Sequence, residues 1–376
     1  MKNIFYLFKN ICVIFFLMMF ISACTPGNGA SPSPSVESKF LYANLNKSTN
    51  YVAAYSIGSD GTLTEISGSP FATGGTSSSG YFGAKAIAIA RNKKLLFASN
   101  KNDNTISVFS IDSSTGALTA IGSPVSGGGT MAGSGSLAVD ANENFLFVSN
   151  GSGSSISVFS IATNGTLTAV SGSPFSLSED NNIDGIALNT SGNILYVAQP
   201  EGGNTIAVMS VASDGTLTEI SGSPFDYTGS GQVASFAFVS DSLAVSGAYN
   251  YGNDVTSYSV ASDGTPTVAD SLSLTNNNQC ISLSPSGKFA VAAGGSAPQV
   301  SVISVASDGT LTAVSGSSFS TSYNTSGYAI VSSGDKYVYV TEDSHIEAFS
   351  MDSSGALTSL GAYVTSSSRI DALAIY

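Results

Sequence analysis

One short pattern recurs seven times along the 376 residues and sets the architecture. A bulky apolar residue is followed by Ser and then by Ile, Val or Met, and a turn ending in Gly comes next. The serines are Ser56, Ser110, Ser160, Ser210, Ser259, Ser304 and Ser350, and the glycines are Gly61, Gly116, Gly165, Gly215, Gly264, Gly309 and Gly355. Consecutive glycines lie 55, 49, 50, 49, 45 and 46 residues apart. Periods of this length with strand-rich units point to propeller blades rather than helical repeats. The pattern predicts an all-β fold, a seven-bladed β-propeller.

The second copy shows the unit. Ala86-Ile87-Ala88-Ile89-Ala90 reads as a short inner strand, and Arg91-Asn92-Lys93-Lys94 as a polar turn. Leu95 to Asn100, Thr105 to Ile111 and Ala117 to Ile121 follow as further strands. β-Branched and aromatic runs bounded by Gly, Asn and Asp are the signature of strands joined by hairpins. Asp60, Asn164, Asp214, Asp263 and Asp308 each precede a turn glycine, and such pairs accept the positive φ of tight hairpins. The first repeat opens on a second-type strand, Phe40 to Leu45, with no inner strand before it. The last residues, Asp371 to Ile375, match the inner strand of blade two. The C-terminal strand is therefore expected to complete blade one and close the ring, removing open sheet edges.

The propeller is assigned to residues 39–376, and what precedes it reads differently. Residues 1–23 combine Lys2 and Lys9 with the apolar run Ile11 to Ile21, a secretory leader too short to span a bilayer comfortably. Ile21-Ser22-Ala23-Cys24 resembles the bacterial lipobox, which implies cleavage before Cys24 and lipidation of its thiol. Residues 24–38, rich in Pro, Ser and Gly, read as a flexible tether. The expectation is an exported monomer, lipid-anchored to the bacterial cell envelope, at the outer membrane in a Gram-negative cell. Of the three cysteines, Cys280 alone remains for the folded domain, so no internal disulfide is possible there.

Charge is uneven. Loss of Lys2 and Lys9 takes the net charge of -13 to -15. Between Lys101 and Lys288 there is no Lys or Arg, while fifteen Asp and Glu fall there. This balance argues against a nucleic-acid partner, which needs basic patches against phosphate.

Phe145-Leu146-Phe147-Val148-Ser149-Asn150, Ile156-Ser157-Val158-Phe159-Ser160-Ile161 and Asn164-Gly165-Thr166-Leu167 together resemble the lactonase-type seven-bladed propellers. That group includes bacterial 6-phosphogluconolactonases and the broader YVTN-type, WD40-like repeat proteins. Ser284-Pro285-Ser286-Gly287-Lys288-Phe289 is similar to the family turn written with His-Pro and Gly-Lys. The resemblance implies the propeller fold over residues 40–376 and a lactonase scaffold. Members tend to carry Gly-Pro-Arg-His where an innermost strand begins. The matching stretches here read Gly83-Ala84-Lys85-Ala86, Ser134-Gly135-Ser136, Ile183-Asp184-Gly185 and Asn278-Gln279-Cys280. No blade has Arg-His, and the mature chain holds one histidine, His345, and two arginines, Arg91 and Arg369. A phosphorylated sugar acid calls for cationic donors and a general base, and this chain is poor in both.

Residues common to all blades are scaffold, so function lies in what differs. Arg91, Lys93, Lys94, Lys288 and Lys336 fall in turns of the bottom face and read as solvated charges. Lys47, Lys85, Lys101 and Arg369 fall on the top face with His345, all from blades seven, one and two. These cations beside Glu342, Asp343 and Asp371 form the candidate site, with His345, Arg369, Glu342 and Asp371 as catalytic candidates and Lys85, Lys101 and Lys47 for ligand binding. Lys85 and Asp371 occupy equivalent positions on adjacent inner strands and are expected to neutralise each other if the patch is only surface ion pairs. Glu179, Asp180 and Asp184 offer oxygen ligands of the kind hard cations take, but their spacing matches no metal motif, and no metal or other cofactor is assigned. Tyr249 to Asp254, Asp226-Tyr227 and Tyr323-Asn324 are placed to stack on a carbohydrate. The sequence thus reads as a lipid-anchored, non-catalytic module binding a carbohydrate or protein on its top face. The alternative is a lactonase-like hydrolase acting on a sugar lactone.

Overall fold

Seven antiparallel sheets each run from an inner strand outwards, and their inner strands pack side by side in a ring. The computed structural model describes residues 37–376 except 46–47, 78–84, 132–134, 180, 250–253, 275–279, 295–297, 324, 343 and 366–368. Blade two is Ile87–Ala90, Leu95–Asn100, Thr105–Ile111 and Leu118–Ala120 from the centre outwards. Blade one takes its inner strand, Ile370–Ile375, from the far end of the chain, where it pairs with Phe40–Leu45. The expected closure is present. Lys39 and Phe40 donate their backbone N–H groups to the Tyr376 carbonyl, and Tyr376 returns one to Phe40. Among the described residues no helix is long and apolar enough to cross a membrane.

The recurring serine and glycine each have a job. All seven serines donate their hydroxyl across the hairpin to a carbonyl of the fourth strand, from Ser210 on Thr218 at 3.1 Å to Ser350 on Thr358 at 3.4 Å. All seven glycines sit at φ between +74° and +95°, where a side chain is strained. They also lie against the first residue of the second strand in the preceding blade. A Cβ on Gly116 would come 2.5 Å from Phe40, and one on Gly355 would come 2.7 Å from Phe289. Tyr42, Tyr196 and Tyr339 add hydroxyl bonds to the carbonyls of Gly116, Gly264 and Gly61. The repeat thus encodes the seam between blades, including the seam between seven and one.

In five blades the outer strand is cut in two, as in Leu63–Glu65 and Phe71–Ala72 of blade one, and both pieces pair with the third strand. In four of these the gap is bridged by a serine hydroxyl that accepts a third-strand N–H: Ser69 from Ala54, Ser173 from Val158, Ser223 from Val208 and Ser317 from Val302. Proline follows that serine in three of them, at a rim position where no ladder donor is needed. Blades five and seven keep continuous outer strands, Pro266–Ser273 and Leu357–Val364.

Two bottom-face cations are not simply solvated, contrary to the expectation from their turn positions. Arg91 donates to the Ile375 carbonyl at 3.0 Å and lies over the Tyr376 ring. Lys93 donates to the carbonyls of Glu143 and Ile161, while the Glu143 carboxylate accepts the N–H groups of Asn92 and Lys93. Both are half-buried because they tie neighbouring blades together.

Candidate functional site

Near the starts of the inner strands lie Lys85, Ser136 and Asp184, just before theirs, and Cys280, Asp371, Ser235 and Tyr328, within the first four residues of theirs, one from each blade. Charged members of this set are held by buried neighbours. Lys101, which follows the second strand of blade two, places its Nζ 3.0 Å from Asp371 Oδ2, with both side chains about 95 % covered. Gly135 of blade three leaves room for the lysine stem, since a Cβ there would lie 3.2 Å from Lys101 Cγ. The expected pairing of Lys85 with Asp371 is therefore corrected: the partner is Lys101. A register shift between Asn44 and Leu45 leaves Asp371 as an extra residue on its strand. Such a bulge re-aims a side chain.

Asp184 lies two residues before the inner strand of blade four, Ile186–Leu188, and is 6 % exposed. Burial pushes its carboxyl up to about 7. A hydrogen bond with Tyr249 opposes the shift, Glu201 adds to it, and Lys101 favours the ionised form. Lys85 reaches solvent, yet the surrounding protein desolvates its ammonium and lowers its pKa, with Cys280 acting in the opposite sense. A side chain that faces a narrow, protein-walled space satisfies both facts. Cys280 is buried and free, and burial pushes its thiol up to about 12. It is a neutral thiol at physiological pH, not a nucleophile.

The other candidates are dispersed. Lys47, Asp343 and Asp180 lie outside the described residues. His345 opens the third strand of blade seven, two strands out from the ring centre. Its ring stacks on Tyr323 at 4.0 Å between centroids and 9° between planes, and its Nδ1 meets Ser344 Oγ at 3.2 Å. Glu342 ends the second strand of the same blade, fully buried and next to Glu347. Arg369 precedes the inner strand of blade one and is half-buried. Glu179 is exposed and accepts from Asn181, away from buried Asp184. Among the described residues no three His, Cys, Asp or Glu side chains converge to hold a metal ion. Of the aromatic loop residues, Tyr227 and Tyr249 are buried, and Tyr323 is 47 % exposed.

The structure therefore brings Lys101, Asp184 and Asp371 within electrostatic reach of one another, sets Lys85 beside Cys280, and leaves His345 and Glu342 in a separate group on blade seven. In the sequence Asp184 stood both in an acidic loop and in Ile183-Asp184-Gly185, one of the stretches matching the start of an innermost strand. Its alignment with Lys85 and Cys280 around the start of an inner strand was the signal that set it apart from the rest of that loop.

A sequence model of the seven-bladed β-propeller lactonases matches residues 33–176 and 120–238, more than half of the chain. No curated protein sequence matches. Among solved structures, a Bacteroides fragilis protein of inferred 6-phosphogluconolactonase activity superposes with a TM-score of 0.72 at 19% identity, covering 92% of this chain and 100% of its own. A second such protein, from Bacteroides uniformis, gives 0.74 at 16% identity, covering 91% and 100%. The periplasmic gluconolactonase of Pseudomonas aeruginosa gives 0.70 at 15% identity, covering 90% and 98%. At these identities the likeness speaks for the fold, and it agrees with seven blades closed by the C-terminal strand. The chain belongs to the seven-bladed β-propeller lactonase family.

Proposed function

We propose that this protein hydrolyses a sugar lactone at the top of its ring, with Asp184 as the general base. The observation that carries the reading is a buried carboxyl raised to about 7 just before the inner strand of blade four in a lactonase-family propeller. A base works best when its pKa lies near the working pH. Asp184 takes a proton from water as the oxygen attacks the lactone carbonyl carbon. Lys85 donates a hydrogen bond to the oxyanion that forms. The ring C–O bond then breaks, and the proton held by Asp184 passes to the departing oxygen, leaving an open hydroxy acid. Lys101 and Asp371 hold the field around the base and do not touch the substrate.

With Lys101 engaged by Asp371, few cations remain to meet a phosphate dianion, which favours an unphosphorylated lactone. Gluconolactone and 6-phosphogluconolactone should be assayed side by side. Turnover should fall in the usual range of roughly 1 to 1000 per second and rise with pH through about 7 as the base ionises. Asp184→Asn should lower kcat by about 10²- to 10⁴-fold. Turnover indifferent to Asp184→Asn would overturn the mechanism. Absence of turnover with retained lactone binding would support a non-catalytic binding module, the reading favoured by the missing Arg-His.

The same proposal includes attachment to the envelope through Cys24, supported by Ile21-Ser22-Ala23-Cys24 and the tether after it. Mass spectrometry of the native protein should find an acylated N-terminal Cys24, and Cys24→Ser should release the protein from membranes. A native protein that is soluble and begins elsewhere with an unmodified residue would exclude the anchor.

A further inference from the structure

Blade seven contains a pair of acids that the proposed chemistry does not use. Glu342 ends the second strand and Glu347 is the third residue of the next, across a tight hairpin in which Glu342 opposes His345. They are 0 % and 1 % exposed. In blades two and three the same two positions hold Asn100 with Ser107 and Asn150 with Ser157, joined at 2.8 and 2.9 Å by amide-to-hydroxyl bonds. Those pairs contain a donor. Two ionised carboxylates contain none.

The oxygen inventory shows where a proton must sit. Glu347 accepts the Ser322 N–H on Oε2 at 2.6 Å and the Ser359 hydroxyl on Oε1 at 2.5 Å. Glu342 accepts the Tyr323 N–H on Oε1 at 3.0 Å. Its Oε2 is buried without a partner, the Thr321 hydroxyl beside the carboxyl donates to the Tyr323 carbonyl at 2.8 Å, and the carboxyl lies in hydrogen-bonding contact with Glu347. A proton on Glu342 Oε2 satisfies all four oxygens at once. His345 opposes Glu342 in the hairpin register and stacks on Tyr323, whose backbone N–H Glu342 accepts. Among the described residues no Lys or Arg pairs with either carboxylate.

We propose that Glu342 and Glu347 share a single proton, and that this proton clamps the loop from blade six to blade seven and releases it in alkaline solution. The clamp acts through the backbone N–H groups of Ser322 and Tyr323, and it sets the Tyr323 ring on His345. Burial, reinforced by Glu347, raises the Glu342 carboxyl to about 8. A carboxyl raised on folding stabilises fully below its ordinary value, and that stabilisation is lost as pH rises through the folded one. The loop is therefore held at neutral pH and freed above about 8.

Hydrogen exchange of the peptide spanning residues 321–325, corrected for intrinsic rates, tests this. Protection should hold to about pH 8 and then fall about tenfold per pH unit, as expected for an opening coupled to loss of one proton. Glu342→Gln keeps a donor for Glu347 and an acceptor for Tyr323, so its loop should stay protected across the same range. In the infrared, the wild type at pH 7 should show a protonated carboxyl band that Glu342→Gln removes. Protection unchanged to pH 10, a pH dependence that survives in Glu342→Gln, or absence of that band would overturn the proposal. So would protection that EDTA removes and calcium restores, which would put a cation between the carboxylates.

Discussion

Removing Ile370–Tyr376 is expected to abolish the cooperative unfolding transition and drive the chain into aggregates. The deletion takes out the whole inner strand of blade one, whose Ile370, Ala372 and Leu373 are fully buried. It leaves Leu41–Leu45 without its inner partner and opens a gap in a ring whose blades have no other way to cover their flanks. Exposed ladder groups on a flat apolar edge recruit other chains. A control separates topology from mere loss of residues. Tyr376 already bonds to Lys39 and Phe40, so residues 369–376 moved in front of Lys39 and joined to it by a short turn can form a hairpin in the native register. That permuted protein should recover a single sharp melt. A truncated protein that melts like the full domain would show that the ring does not need this strand.

Asp371→Ala should be the most damaging single substitution at the site. It leaves the Lys101 ammonium buried without its ion-pair partner, a change that costs about 3–5 kcal/mol when one member of a buried pair is removed. Thermal denaturation should shift down on the order of 10 °C. Replacing both residues by apolar ones, Lys101→Met with Asp371→Leu, should bring stability back close to that of the wild type, because two desolvated charges disappear together. A single substitution that costs under about 1 kcal/mol would mean that the pair is open to water, contrary to its coverage. Lys101→Met has a second readout. It removes a positive charge that favours ionised Asp184, so the pH midpoint of any hydrolytic activity should move upward.

The architecture was legible because its determinants are local and repeated. A serine that crosses a hairpin and a glycine that must sit at positive φ under a bulky side chain of the neighbouring blade leave a mark at every blade. Closure was legible as well, since Asp371 to Ile375 reads like Ala86 to Ala90 and the first blade begins one strand short. The site was legible only in part. Lys101 was singled out as a cation of the top face, but Lys85 was given its partner by sequence equivalence, and the extra residue at Asp371 breaks that equivalence. A bulge changes which way a side chain points without changing composition or period, so the sequence pattern is silent about it. Asp184 was obscured by its neighbours Glu179 and Asp180, which suggested a shared role that the burial of Asp184 alone does not support. The Glu342–Glu347 contact depends on two positions five residues apart meeting across a hairpin, and only the strand register reveals it.

The cut outer strands have a consequence for how copies of this molecule meet one another. A rim broken into a three-residue and a two-residue piece offers another chain little continuous ladder to extend, and four of those breaks are already filled by a serine hydroxyl. Blades five and seven present uninterrupted rims of eight residues each. These two rims also carry Val268 at 44% and Val364 at 69% exposure, two of the three large apolar residues most open to solvent among those described. Whatever capacity the particle has for lateral association is thus concentrated on two of its seven sides. Because blades five and seven are separated by one blade on one side and four on the other, a particle paired through both rims at once would sit at a bend in a chain of particles, whereas pairing through one rim alone would stop at a two-fold pair.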